Sequence, residues 1–256
     1  MSIAFDQLVA VMARLRGEGG CPWDQEQTHA SLKPFLIEEA YEVLDAIDSD
    51  NKASFCEELG DLLFQVVFHA QVAKERGAFD IEEILKTTTD KMTRRHPHVF
   101  VEAATGAPVT SDAVLGRWEE MKRLERAPNT SVLDGVPKEL PALLRAHQVQ
   151  AKASRVGFDW KTPEAAFFKI EEETREVKEA LASGNPAELE AELGDLLFSI
   201  VNVARLLKVN PEEALRKMVN RFMERFKKME LSAGQAGMAA LSDDEMNRLW
   251  DQAKKE

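Results

Sequence analysis

Only two cysteines, Cys21 and Cys56, occur in 256 residues, so no disulfide framework holds this chain together. A reduced, cytoplasmic setting is the expectation, with Cys56 an ordinary part-buried thiol. The sequence also lacks any run of about 18 apolar residues, which excludes a membrane-spanning helix. Its first residues, Met1 to Asp6, do not place a basic stretch before an apolar one, so no secretory leader is expected. Positive charge is scarce: 33 Lys and Arg against 45 Asp and Glu leave a formal net charge of −12. A nucleic-acid platform draws most of its affinity from a basic face, and that class is excluded. A small polyanion is not, because a bound divalent cation reverses the local sign of an acidic cluster. Alternating β-branched runs are missing too, and the expected fold class is all-α.

Apolar residues recur at three- and four-residue intervals nearly throughout. In the second half the helix starts are marked by capping side chains ahead of proline: Thr162-Pro163, Asn185-Pro186 and Asn210-Pro211. Glu188 and Glu213 stand three residues after the two asparagines, as in a capping box, and Ser242 with Glu245 announces a last helix. Helices are predicted near 138–154, 163–183, 186–207, 211–230 and 242–254. The first half follows the same plan, with helices near 3–16, 32–48, 52–75, 80–95 and 111–126 and an exposed loop from Val101 to Pro108. Turn formers crowd the stretch from Ala127 to Pro137. The expected organisation is an amino-terminal domain over 1–127, a linker over 128–137 and a carboxy-terminal domain over 138–256.

The two halves repeat one acidic pattern. Glu38, Glu39 and Glu42 precede Glu58 and Asp61; Glu172, Glu173 and Glu176 precede Glu192 and Asp195. The offset is constant, since 172 − 38 and 195 − 61 both give 134. Pro22-Trp23-Asp24 answers Gly157-Phe158-Asp159, and Trp118 and Trp250 close the two copies. A repeat of roughly five helices is too long for a solenoid unit and reads as a duplicated domain.

Successive helical side chains are about 100° apart, so each glutamate trio spans one arc of its helix. The short connection at Ser183-Gly184-Asn185 implies an antiparallel neighbour, which brings Glu176 and Asp195 to similar heights. Apolar stripes flank the acids: Leu189, Leu193, Leu196, Leu197, Ile200, Val201 and Ala204 on one helix, and Phe167, Ile170, Val177 and Leu181 on the other. Both stripes are expected to be core. Facing carboxylates without Cys or His suit Mg²⁺ or Mn²⁺ rather than Zn²⁺. One such motif alone reads first as a solvated acidic face; two copies with the same internal spacing favour a cation site. A di-iron bundle needs Glu-x-x-His motifs, and Asp61 and Asp195 stand where its histidine would. The one ExxH, Glu26 to His29, is unrepeated and falls in an expected loop. His69 reads as a hydrogen-bonded core residue, and His96 as the end of a helix.

With these residues in view, the chain resembles the all-α nucleoside triphosphate pyrophosphohydrolases, and within them the tandem-domain MazG proteins. The resemblance covers essentially the whole sequence. It is carried by Cys21-Pro-Trp-Asp24, Gln27-Thr-His29, Ser31-Leu32, Pro34-Phe35-Leu36, Glu38-Glu-Ala-Tyr-Glu42 and Val156-Gly-Phe-Asp-Trp160. It implies two MazG-like helical domains whose four-helix bundles are completed by homodimerisation. It also implies Mg²⁺-dependent hydrolysis of nucleoside triphosphates to monophosphate and pyrophosphate, tolerance of base identity, and a role in nucleotide-pool cleansing and stress.

Carried over by motif position, the metal ligands are Glu173, Glu176, Glu192 and Asp195, with Glu172 positioning or activating the attacking water. Lys169, Arg221 and Arg225 are candidates for the phosphate chain, Trp250 for stacking on the base and Asn202 for a further nucleotide contact. Each cation is equally an exposed helix charge, and Trp250 is equally a packing residue of the last helix. The resemblance makes the second copy the main catalyst. Glu38, Glu39, Glu42, Glu58 and Asp61 form a second possible metal site, although Phe68 and Phe35 stand there where the second copy has Asn202 and Lys169. The competing reading is a non-catalytic acidic helical dimer that binds a regulatory nucleotide or protein.

Overall fold

The computed structural model describes residues 3–100, 130–234 and 237–255, with Thr110, Val114, Arg117 and Met121 between them. The expected loop at 101–108, Trp118 and most of the helix expected at 111–126 lie outside the described residues. Every regular element among the described residues is helical. None of those helices is long and apolar enough to cross a membrane. The chain divides into two compact units, Met1–Arg126 and Ala127–Glu256.

The amino-terminal unit runs α1 (Ile3–Arg16), α2 (Pro22–Glu26), α3 (Lys33–Asp48), α4 (Lys52–Glu75), α5 (Ile81–Arg95) and α6 (Pro97–Phe100). The short α2 takes Glu26 out of the expected loop, because Pro22 starts a turn of helix that leaves only Gln27 onward irregular. The pair α3 and α4 forms a hairpin, and Asn51 caps α4 by accepting from the Ala53 and Ser54 amides. Asp50, at the turn, holds a left-handed φ of 50°. Met12, Leu32, Val67, Phe68 and Val72 make the core, with Phe35 and Phe64 packed against it. Arg16 locks α1 onto this core: its guanidinium grips Glu75 at 2.7 Å and donates to the carbonyls of Asp24 and Gln27. Such charge-assisted, multiply bonded arginines are among the stronger polar ties in a fold.

The carboxy-terminal unit runs α7 (Ala142–Ser154), α8 (Pro163–Ser183), α9 (Pro186–Leu206), α10 (Pro211–Ala233), a 3-10 turn (Met238–Ala240) and α11 (Asp243–Ala253). Its helix starts use the expected caps. The Thr162 hydroxyl accepts from Ala165 N, and the side-chain oxygens of Asn185 and Asn210 accept from Ala187 N and Glu213 N. Only Ser242 completes a reciprocal box with its glutamate; Glu188 instead accepts from the Ser183 hydroxyl, and Glu213 pairs with Arg216. Each cap contributes about 1 kcal/mol. Gly184 ends α8 with φ 71°, a left-handed step that turns the chain straight into α9.

One expectation fails in this unit. The apolar stripes of the α8–α9 hairpin are not core throughout: Val201 is buried, but Phe167, Leu181, Leu193, Leu197 and Ile200 are exposed, Leu197 by 54%. The stripe is wider than the flanking α7 covers, so one apolar face of the hairpin stays open. Periodicity marks an apolar face without saying what lies against it.

Candidate metal centre

About two turns of α8 carry Lys169, Glu172, Glu173 and Glu176 on neighbouring positions, and α9 returns Glu192 and Asp195 beside them. Carboxylate oxygens of Glu173, Glu176 and Glu192 all lie within 4.8 Å of one another. Glu173 is only 3% exposed. Three negative groups so placed repel, and the repulsion is written into Glu176: burial, then the charges of Glu173 and Glu172, hold its carboxyl above the usual range.

Lys169 is the local counter-charge. Its ammonium lies 2.6 Å from Glu173 and 3.2 Å from Glu172. The hydrogen bond to Glu173 raises the lysine pKa strongly despite the opposing cost of burial. One ammonium against this group leaves net negative charge on a hard, all-oxygen donor set. That is the chemistry of a hard divalent-cation site, and the residues fit it.

The cluster opens on a cavity of about 700 Å³, within the range of small-ligand pockets, which Lys169, Glu173 and Asp195 all line. Asp195 lines this space without belonging to the tight glutamate trio. Asn202 lines it as well, fixed by Arg205, whose Nε and Nη2 donate to Asn202 Oδ1 at 3.2 and 2.8 Å. Arg205 is in turn clamped on both oxygens of Asp159. Trp160 and the buried Gln150 complete the wall.

The remaining candidates gather elsewhere. Trp250 lies 5.3 Å from the Phe222 ring, under the Arg225 guanidinium at 6.0 Å, and so packs α11 onto α10. Arg221 lies on the exposed side of α10, with Nη2 3.4 Å from Met218 Sδ. None of the three lines the cavity. The wall residues Gln150, Arg205 and Trp160 escaped sequence reasoning as site residues. Asp159 had a signal in the repeat of Pro22-Trp23-Asp24, but its arginine partner is 46 residues away.

The amino-terminal unit holds a second cluster: oxygens of Glu39, Glu58 and Asp61 lie within 4.8 Å. Burial, then Asp61 and Glu42, raise Glu39; burial, then Glu42, Glu57 and Asp61, raise Glu58. Gln65 Nε2 approaches Glu39 at 3.5 Å, and Glu38 is exposed on α3. Among the described residues no lysine pairs with this trio as Lys169 does in the other unit: Phe35 holds that position and packs edge-on to Trp23. Phe68, where the other unit has Asn202, is 2% exposed in the core.

The hairpins and their facing acids define an all-helical protein with two candidate divalent-cation centres. Comparison with known proteins narrows this. The MazG nucleotide pyrophosphohydrolase domain matches residues 27–100 and 161–229. A Thermotoga maritima protein named nucleoside triphosphate pyrophosphohydrolase/pyrophosphatase MazG is 50% identical over 98% of this chain and 96% of its own. A nucleoside triphosphate pyrophosphohydrolase of Escherichia coli K12 is 45% identical over 98% of this chain and 97% of its own. Among solved structures, the crystal structure of a mazG-related protein from Thermotoga maritima aligns with TM-score 0.40 and 24% identity, over 46% of this chain and 98% of that one. The chain belongs to the MazG family.

Proposed function

We propose that this chain is a nucleoside triphosphate pyrophosphohydrolase, converting NTP and water to NMP and pyrophosphate with Mg²⁺, and that its carboxy-terminal unit is the main catalyst. The observation that carries the reading is a trio of carboxylates, Glu173, Glu176 and Glu192, of which Glu173 lines one ligand-sized cavity together with Lys169 and Asp195. The names of its relatives support the reaction class.

In this reading Glu173, Glu176, Glu192 and Asp195 hold Mg²⁺, which Mn²⁺ can replace. The metal supplies charge neutralisation on the phosphate oxygens and a lower pKa for a bound water. Glu172, at the cluster's exposed edge, accepts the proton of the attacking water. Lys169 moves from its carboxylates towards the phosphate chain as negative charge builds there. Asn202 contacts the nucleoside from the cavity wall. Arg221 and Arg225 on α10 and Trp250 on α11, outside the lining of the cavity, are assigned to phosphate and base. A second copy of the chain, laid on the open apolar face of α8 and α9, completes a four-helix bundle. Broad base tolerance and a nucleotide-cleansing role in the cytoplasm belong to the same proposal.

A second reading holds for the amino-terminal unit alone. Phe35 and Phe68 replace the cation and amide of the other unit, which favours a cation-binding, regulatory or structural role without turnover. The test is direct. Purified protein with Mg²⁺ and each NTP should yield NMP and pyrophosphate, not NDP and phosphate. Glu173→Ala and Asp195→Ala should each abolish this with helicity intact. Loss on Glu39→Ala with Asp61→Ala, and none on the first pair, would move catalysis to the other unit.

A further inference from the structure

The stretch from Ala127 to Pro137 reads as a linker in the sequence, yet part of it is built into the carboxy-terminal unit. Residues 131–135 close a stitched turn. Asp134 N donates to the Ser131 carbonyl at 3.0 Å, Ser131 N to Asp134 Oδ2 at 2.8 Å, and Leu133 N to Ser131 Oγ at 3.2 Å. Gly135, with φ 77°, lets the chain leave the turn by a left-handed step. Lys152 of α7 reaches across to this turn, and its ammonium donates to the Asp134 carbonyl at 2.7 Å. A bond from a charged donor is stronger than a neutral one, so the lysine is an effective peg. The turn carries Leu133, a 39% exposed side chain that lines the cavity. Val149 and Ala153 of α7 line it too, so the peg at Lys152 stands next to the wall it serves. The rest of the lining comes from α7, α8, α9 and residues 157–160.

We infer that the 131–135 turn is a wall of the cavity rather than a spacer between units, with Leu133 closing the cavity beside α7 and Lys152 as the residue that positions it. The turn begins at Ser131, five positions beyond Arg126, the last residue of the amino-terminal unit. A displacement at that end of the connector therefore reaches the wall through a very short stretch of chain. Ligand affinity and the seating of the turn are linked: a ligand packed on Leu133 tightens the turn, and loosening the turn weakens the ligand by the same factor. The affinity half of this inference rests on the reading that the cavity takes a nucleoside triphosphate.

The test separates KM from kcat in the full chain, with ATP and Mg²⁺. Leu133→Ala should raise KM roughly three- to tenfold, the effect of removing part of a half-buried apolar side chain from the wall. Its kcat should not change, because the acids on α8 and α9 stay in place. Lys152→Met should also raise KM, and Lys152→Arg, which still donates to the Asp134 carbonyl, should restore most of the wild-type value. If Lys152 acts through Leu133, Leu133→Ala combined with Lys152→Met should be no worse than Leu133→Ala alone. An unchanged KM in Leu133→Ala, a loss of kcat in its place, or additive effects of the two substitutions overturns the inference and leaves the proposed reaction standing. Absence of NTP turnover in the wild type sinks the proposed reaction instead, and a reporter that needs no ligand then decides the inference. The indole added by Leu133→Trp, read as the difference from wild-type emission, should shift to the red and be quenched more readily by acrylamide once Lys152→Met is introduced. Emission and quenching indifferent to Lys152→Met overturn it.

Discussion

Lys169→Met probes how the acidic centre is balanced. The ammonium sits 2.6 Å from Glu173, which corresponds to roughly 6 kcal/mol of bare attraction at an effective dielectric of about 20. Most of that does not survive as stability. Lys169 is 36% exposed, so water screens it, and burial of the Glu173 carboxylate has already exacted a desolvation penalty. The contact to Glu172 is between half-exposed groups and adds little. A net loss of about 1–2 kcal/mol is expected, or a fall of roughly 3–8 °C in the transition of a unit this size. The distinguishing readout is the response to Mg²⁺. A cation at the trio competes with the ammonium for Glu173, so the same Mg²⁺ concentration should raise Tm further in Lys169→Met than in the wild type. Scanning calorimetry with and without Mg²⁺ measures both. Equal stability without metal, or equal gains with it, would refute the claim that lysine and metal share one carboxylate.

Three further outcomes follow from the geometry. Glu176 is held above the ordinary carboxylate range and must be deprotonated to bind a cation, so Mn²⁺ affinity should begin to fall at a higher pH than an ordinary carboxylate would allow; titration calorimetry should find the dependence flattened in Glu176→Gln. His29 and His69 face each other through their Nδ1 atoms at 2.8 Å, and burial, then the charge of His29, depresses the His69 pKa. A folded value below the unfolded one means stability that is complete above about pH 6.5 and lost as pH falls through the depressed value; His29→Gln should weaken that loss in a pH series of Tm. Gly184→Ala puts a side chain at φ 71° and should cost about 1 kcal/mol, whereas Asp50→Gly at φ 50° should stabilise by about 0.5 kcal/mol, both read from chemical denaturation.

Much of this was legible in the sequence for identifiable reasons. Asparagine or threonine before proline fixed the starts of α8, α9 and α10, because a cap and a pre-set φ act within a few residues. The spacing of the acids about Gly184 anticipated facing carboxylates, since helix geometry is regular. It anticipated Glu176 against Asp195, whereas the tight trio uses Glu173, Glu176 and Glu192. Which rotamers meet across two helices is a matter of packing that counting does not reach. The open face carrying Leu193, Leu197 and Ile200 was misread as core, because periodicity is the same for a covered and an uncovered stripe. The wall built by Gln150, Asp159 and Arg205 stayed invisible, because its parts come from separate elements and meet only in the folded unit.

Phe35 and Phe68 give the duplicated half a different fate. Aromatic rings stand there where its sister keeps an ammonium and an amide, so the entire negative charge of Glu39, Glu58 and Asp61 is left for an incoming ion to neutralise. A magnesium gripped in that half would serve as a rivet rather than a reagent. If the carboxy-terminal unit is the catalyst proposed above, holding an ion and spending a triphosphate become separable tasks along one polypeptide.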